Sequence, residues 1–280
     1  SRRPRMKVLV VGGAGYVGCV LVRELLSHGH EVRVYDRMFF DDGGLAGIRE
    51  RVDVAIDDVR RISARHVVGN EAVINLAGIS SDPTAEFNPD LTREMNVEGA
   101  VRLAEVCKEV GVHRYLFASS CSVYDSSQYD DESDVLLDES SPTVPVSTYA
   151  RSKLEAERRL LHLSDDFSTL VILRKGTVYG YSPRMRFDLV INTFLKDALS
   201  RGYMTLHAGG ETWRPVIGVK DAARAYVACL DAEEASVRRE VFNVIFGNFR
   251  VSEMALRVRE TLRKIDPTID IRAEYTQERS

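Results

Sequence analysis

Lys7–Val11 is a short, nearly unbroken apolar run that ends in glycines, the pattern of a strand buried on both faces of a parallel sheet. From Tyr16 to His28 the apolar positions Val17, Val20, Leu21 and Leu25 recur at helical spacing, and Gly29 closes the segment. A second strand is expected over Glu31–Tyr35, which makes a βαβ unit of about 30 residues. The alternation continues with strands near Val52–Ile56, Ala72–Leu76, Tyr115–Ala118 and Thr169–Leu173, and with helical patterns at Leu91–Val110 and Thr148–Leu163. Strands that alternate with helices imply an α/β, doubly wound parallel sheet with right-handed crossovers.

After Leu173 the rhythm breaks. Residues 176–186 read as loop, Phe187–Ser200 as a helix, and Met204–Ile217 as a short irregular stretch. Helices at Asp221–Asp231 and Ser252–Ile265 follow, with a strand at Val241–Val244 between them. The expected division is a sheet domain over 6–175 and a smaller C-terminal lobe over 176–280, parts of which return to pack on the sheet. Residues 125–145 carry Asp130, Asp131, Glu132 and Asp134 among serines, a solvated loop with a mobile lid as the sharper reading.

Composition narrows the function classes. A formal charge of -4, with basic residues spread along the chain, gives no electrostatic case for nucleic acid. No apolar run approaches the ~18–20 residues needed to cross a bilayer. The first five residues are basic but lead straight into a strand, so they read as a loose arm or remnant, not a signal peptide. Cys19, Cys107, Cys121 and Cys229 show neither metal nor disulfide spacing, so no metal site is expected and a reducing cytoplasm fits.

The glycine run Gly12, Gly13, Gly15 and Gly18 follows a strand and opens a helix. In a Rossmann-like unit Gly12 permits the tight turn, Gly15 lets backbone approach a pyrophosphate, and Gly18 lets the helix pack on the sheet. The helix N-terminus, with Tyr16 and Val17 in its first turn, offers N–H groups and a positive dipole end to phosphates. Asp36 ends the next strand; such an acid accepts hydrogen bonds from a ribose and repels a 2′-phosphate, so NAD is favoured. Arg37 directly afterwards keeps NADP open.

Tyr149 and Lys153 stand at i and i+4, on one face of a helix. A free phenol titrates near 10, so lowering it to ~7 needs roughly 4 kcal/mol of differential stabilisation. A nearby ammonium and an oxidised nicotinamide ring, both cationic, can supply it. Ser119 and Ser120 end the Tyr115–Ala118 strand, where a hydroxyl would face the cleft.

With these residues in place the chain resembles an extended short-chain dehydrogenase/reductase of the NAD-dependent nucleotide-sugar epimerase/dehydratase family. The matches run nearly end to end: Gly12–Gly18; Asp57, Asp58 and Val59; Leu76, Ala77 and Gly78; Asn96; Ser119–Tyr124; Tyr149–Lys153; Arg174 with Val178, Tyr179 and Gly180; Trp213, Arg214 and Pro215 with Val219, Lys220 and Asp221. The resemblance implies that Asp58 and Val59 hold the adenine and that Leu76–Gly78 line the dinucleotide, with Asn96 in the following helix. It implies Ser120 as the catalytic hydroxyl, Tyr149 as general base and acid, and Lys153 on the nicotinamide ribose. Arg214 matches an arginine that the family places on the substrate pyrophosphate; Thr177, Arg184, Arg186 and Asn192 are further candidates on the substrate side.

Departures are informative. Thr177 stands where the family often has Asn, and Arg174, Lys175 and Gly176 make a more polar strand end than usual. The 4,6-dehydratases of the family place Asp-Glu after the catalytic hydroxyl, whereas this chain has Cys121 and Ser122. The related 3,5-epimerases place a catalytic Cys at the Ser122 position, so Cys121 reads as structural. The leading expectation is a nucleotide-sugar 4-epimerase working through a transient 4-keto sugar. The runner-up is an NAD(P)H-dependent 4-ketoreductase; a 4,6-dehydratase and a non-catalytic dinucleotide-binding protein rank lower. Helices Leu91–Val110 and Thr148–Leu163 resemble the pair that forms a dimer interface in relatives, so a homodimer is expected. The chain ends at Ser280, early for the family, so a terminal piece of the substrate lobe is expected to be absent.

Overall fold

The computed structural model describes residues 5–124, 135–163 and 169–277. Residues 125–134 of the expected acidic loop therefore lie outside the described residues.

Six parallel strands build most of one sheet. β1 (Lys7–Val11) lies inside it, with β2 (Glu31–Asp36) and β3 (Asp53–Ile56) on one side. β4 (Ala72–Asn75), β5 (Arg114–Ser120) and β6 (Thr169–Lys175) extend the other side. Because side chains alternate along a strand, Val8 and Val10 face one layer of the core, and Leu9 and Val11 the other. Helix α1 (Gly18–Ser27) covers the first face, with Leu21 and Leu25 fully buried. The second face is covered by α2 (Ala64–Val67), by α5 (Gly99–Val110) with Leu103 and Cys107, and by α6 (Thr148–Leu163) with Leu160. Two short helices, α3 (Asp82–Phe87) and α4 (Pro89–Arg93), precede α5. Burying each such leucine contributes about 1.5–3 kcal/mol, so the two faces hold the sheet from both sides.

The helix expected over Leu91–Val110 forms, but with a π-helical turn inside it. α4 passes into a π-helical turn at Glu94–Glu98 before α5 begins. The cause is Asn96 at the centre of that turn: its amide accepts from Ile79 N (2.7 Å) and donates to Ile79 O (2.9 Å) and Ser152 Oγ (3.0 Å). One extra residue in the turn lets the side chain point at the β4 loop instead of following the helical face.

Beyond β6 the chain builds β7 (Thr177–Tyr179), α7 (Val190–Arg201), β8 (Tyr203–Leu206) and β9 (Trp213–Gly218). It then returns. α8 (Val219–Asp231) packs beside α1, and after the short α9 (Glu234–Val237), β10 (Glu240–Val244) pairs in parallel with β6 as the seventh strand. β11 (Gly247–Arg250) pairs with β9, which also pairs with β7; α10 (Val251–Ile265) follows, and β12 (Arg272–Tyr275) pairs with β8. Phe194, Met204, Leu206, Val216, Met254 and Leu262 form the core of this outer region. β7 lies inside the stretch read as loop, and β8 and β9 inside the stretch read as irregular. Each is short, and its partners lie far off in sequence, so no local alternation announces it. No described helix is long and apolar enough to cross a membrane.

Arg114 ties the returning helix to the sheet. From the start of β5 its Nη1 donates to the carbonyls of Cys229, Leu230 and Ala232, satisfying the open C-terminal end of α8. Arg114→Met removes these charge-assisted bonds and is expected to lower stability by about 1–3 kcal/mol, read as a fall in the urea midpoint with an unchanged m-value.

Candidate active site

The C-terminal ends of β1, β2 and β4 form a cradle. Gly12 turns the chain at φ +83°, and its N–H donates to Tyr35 O (2.8 Å). A Cβ there would stand 2.8 Å from Ala77 N, so the loop lies directly on the Leu76–Ala77 backbone. A Cβ at Gly18 would stand 2.2 Å from Gly12 O, so only glycine lets α1 begin this close to the loop. The first turn of α1 carries no acidic residue and no side-chain cap. Asp36 holds the cradle from the side: its carboxylate accepts from Ala14 N and Met38 N, both at 2.9 Å. Glycines under a bare helix N-terminus with a carboxylate beside them are the donor and acceptor set that a dinucleotide pyrophosphate and ribose require.

The surroundings of Asp58 are more crowded than the sequence suggests. The Asp58 carboxylate accepts from Arg60 N, Nε and Nη2 (2.9, 3.0 and 2.7 Å), and Arg37 Nη1 lies 3.1 Å away. The Arg60 bond chiefly holds this acid below its usual range, against the effect of burial. Arg37 also lies over the Phe39 ring at 4.3 Å. Val59 is buried against Gly99 at the start of α5.

Ser120, Tyr149 and Lys153 converge where β5 ends and α6 begins. Ser120 Oγ accepts from Ser122 N (3.1 Å) and Ser122 Oγ (2.9 Å), which aims it and leaves its own proton for another acceptor. Lys153 is buried, donates to Ala118 O (3.0 Å), and lies 5.8 Å from the centre of the Tyr149 ring. Burial pushes its ammonium down to about 8, and Glu157 opposes that shift. Burial likewise pushes the Tyr149 phenol up to about 12, with the Ser120 hydrogen bond and Arg186 pulling it down. The chain's own groups thus leave the phenol far above neutrality. A working value near 7 asks for on the order of 7 kcal/mol more differential stabilisation, larger than a free phenol needs.

One turn below Lys153 is a network that sequence reading missed. The Glu157 carboxylate, 1% exposed, accepts from Arg174 Nε (3.0 Å) and Nη2 (2.7 Å) and from the Ser119 hydroxyl. Arg174 Nη1 donates to Tyr124 OH (2.6 Å), which donates to Asn243 Oδ1 (2.9 Å) on β10. Glu157 follows Lys153 by four residues on the same helix face, a signal available in the sequence but common on solvated helices. Ser122 was legible only as a departure from the family pattern.

The substrate-side candidates separate. Asn192 is buried and uses its whole amide on the chain: it accepts from Gly180 N (3.0 Å) and donates to Tyr16 OH (3.1 Å) and Arg186 O (2.9 Å). Tyr16 OH in turn donates to Gly180 O (2.7 Å), and Ser182 Oγ donates to Tyr16 O (2.7 Å). The phosphate-loop residue is thereby clamped to the segment after β7. Arg184 lies over the Phe40 ring at 3.8 Å, and Arg186 joins Ser80 Oγ (2.8 Å) to Asp188 (2.6 Å). Thr177 begins β7, in register with Val216. Arg214 is exposed on β9, opposite Phe249, with no ion pair to a described residue.

The family model described as "NAD dependent epimerase/dehydratase family" matches residues 8–244. UDP-glucuronic acid decarboxylase 1 of Xenopus tropicalis is 26% identical over 243 residues, covering 84% of this chain and 56% of the relative. This chain therefore spans little more than half the length of that protein. UDP-glucose 4-epimerase of Corynebacterium glutamicum is 28% identical over 272 residues, covering 91% of this chain and 80% of the relative. Among solved structures, MoeE5 in complex with UDP-glucose and NAD is 26% identical with a TM-score of 0.78, covering 98% of this chain and 86% of that one.

Removing one partner of the buried pair tests what holds α6 in place. Glu157→Gln leaves Arg174 buried without its counter-charge and is expected to cost about 3–5 kcal/mol in denaturant unfolding.

Proposed function

The chain belongs to the NAD-dependent epimerase/dehydratase family, and from that premise we propose that it is a nucleotide-sugar 4-epimerase. Gly12, Gly15 and Gly18, with the N–H groups of Tyr16 and Val17, receive the pyrophosphate. Asp36 accepts from the adenosine ribose, which favours NAD over NADP; the ion pair of Arg37 with Asp58 supports this, because it turns the guanidinium to a carboxylate. Asp58 and Val59 border the adenine, and Leu76, Ala77, Gly78 and Asn96 line the path to the nicotinamide. Lys153 holds the nicotinamide ribose. NAD, when bound there, would supply the hydride acceptor and donor for sugar C4.

Tyr149 takes the proton of the sugar 4-hydroxyl and later gives it back. Ser120, aimed by Ser122, donates to the same oxygen. Arg214 engages the substrate pyrophosphate, with Thr177 and Arg184 as further substrate contacts. Asn192 acts indirectly, through the position it gives Tyr16 and Gly180. The observation that carries the reading is the pair after Ser120. Cys121 donates its thiol to Arg174 O (3.1 Å), and burial pushes it up to about 12. Ser122 is committed to Ser120. Neither can move the C5 and C6 protons that 4,6-dehydration requires.

The clamp of Tyr16 on Gly180 and Ser182 favours epimerisation over ketoreduction, since a ketoreductase must exchange its cofactor every turnover. A homodimer across α5 and α6 belongs to the same reading. It would be a polar contact, since that face carries the pairs Arg93–Glu155 and Arg159–Glu98 (both 2.7 Å).

Purified protein incubated with a panel of UDP- and dTDP-sugars, uronates included, and no added cofactor should interconvert 4-epimers by NMR. Turnover only with stoichiometric NADH or NADPH would instead make it a ketoreductase, and loss of the sugar carboxylate would make it a decarboxylase. Tyr149→Phe is expected to lower kcat by about 10²–10⁴ with NAD binding retained; unchanged turnover would overturn the assigned base.

A further inference from the structure

Lys175 is the last residue of β6, in register with Ser120 at the end of β5. Leu173 and Val171 precede it on the face covered by α1 and α8, and Ala118 and Leu116 precede Ser120 on that same face. Lys175 and Ser120 therefore leave the sheet side by side. Lys175 Nζ donates to Tyr226 OH (3.0 Å) on α8 and lies 5.5 Å from the centre of that ring. Tyr226 is fully buried.

Across the sheet end is the ammonium of Lys153. Among the described residues neither lysine has a carboxylate within ion-pair distance, because Glu157 is committed to Arg174 and Ser119. The groups around Lys175 are Lys153 from α6, the neutral thiol of Cys121 after β5, Tyr226 from α8, and Val244 of β10, its apolar neighbour in register. Burial first, and the charge on Lys153 second, push the Lys175 ammonium down to about 7. Two like charges with no counter-ion make this end of the cleft hostile to a third.

We propose that Lys175 is a positioning residue that makes dinucleotide binding sensitive to redox state: it yields its proton when the cationic oxidised ring enters the cleft and keeps it when the neutral reduced ring does. The proton passes to solvent, and no covalent step is involved. Lys153 cannot take this part while it is fixed to Ala118 O beside the ribose site, whereas among the described residues Lys175 has only the Tyr226 hydroxyl as its acceptor. A protonated Lys175 favours the reduced ring, and a neutral one removes that bias. The inference rests on the dinucleotide cleft of the proposed function and adds to it a control over hydride return.

The test is competition between NAD and NADH on the purified chain, followed by the fluorescence of the reduced ring from pH 5.5 to 9. The wild-type preference for NADH over NAD should rise as pH falls below about 7, approaching tenfold per pH unit, as linkage to one proton requires. Lys175→Met should abolish this phase and shift the preference toward NAD. Lys175→Arg should abolish it and shift the preference toward NADH. A merely structural role would move both variants the same way and leave the wild-type slope intact, and either result overturns the proposal. Binding without any pH-dependent preference overturns this inference alone; failure of the wild type to bind either dinucleotide overturns the proposed function with it.

Discussion

The site depends on one buried ion pair. Glu157 from α6 meets Arg174 from β6 and the Ser119 hydroxyl from β5, so three elements share one carboxylate. Charges taken this far from water are stable only when every lone pair finds a donor, and that requirement leaves α6 a single seat on the sheet. With α6 seated, Lys153 comes one turn above Glu157 and reaches the carbonyl of Ala118. Tyr149, one turn further, then stands at the end of β5, within reach of Ser120. The network continues through Tyr124 to Asn243 on β10, so the returning strand is held by the same charges.

The second constraint is the join between the phosphate loop and the outer region. Tyr16 belongs to the loop by sequence, yet its phenol is held by Gly180 and Asn192, and its carbonyl by Ser182. Burial pushes this phenol above its usual value, so it stays a neutral donor and acceptor. The glycine cradle and the segment after β7 are thus one hydrogen-bonded piece. That coupling keeps the glycine loop and the segment after β7 in a fixed relation.

Electrostatics give the cleft a direction. At its inner end buried Lys153 and half-buried Lys175 have no carboxylate within ion-pair distance among the described residues, while Tyr149 is left well above neutrality by burial. Such an environment rewards negative charge on a phenolate or another oxygen held there. At its outer end Asp58 is engaged by both Arg60 and Arg37.

Much of this was legible without coordinates, for identifiable reasons. A strand buried on both faces must be apolar throughout, so β1 and β4 were readable within a residue of their ends. α6 was readable end to end because its apolar stripe has helical period. Gly12 and Gly18 announce themselves because the close backbone contacts they make tolerate no Cβ. What failed was whatever has a distant partner. β7, β8 and β9 are too short to show alternation, and the π turn at Glu94–Glu98 exists only because Asn96 must reach Ile79. The sequence by itself determined the sheet, the glycine cradle and the Tyr149–Lys153 spacing, since these follow from local periodicity and from residue types with few substitutes. Only the tertiary structure decided that Asn192 serves Tyr16, that Glu157 anchors α6 to Arg174, and that Lys175 stands beside Ser120. Each of those depends on which side chains strand order and burial bring together, and no local pattern in the chain encodes that.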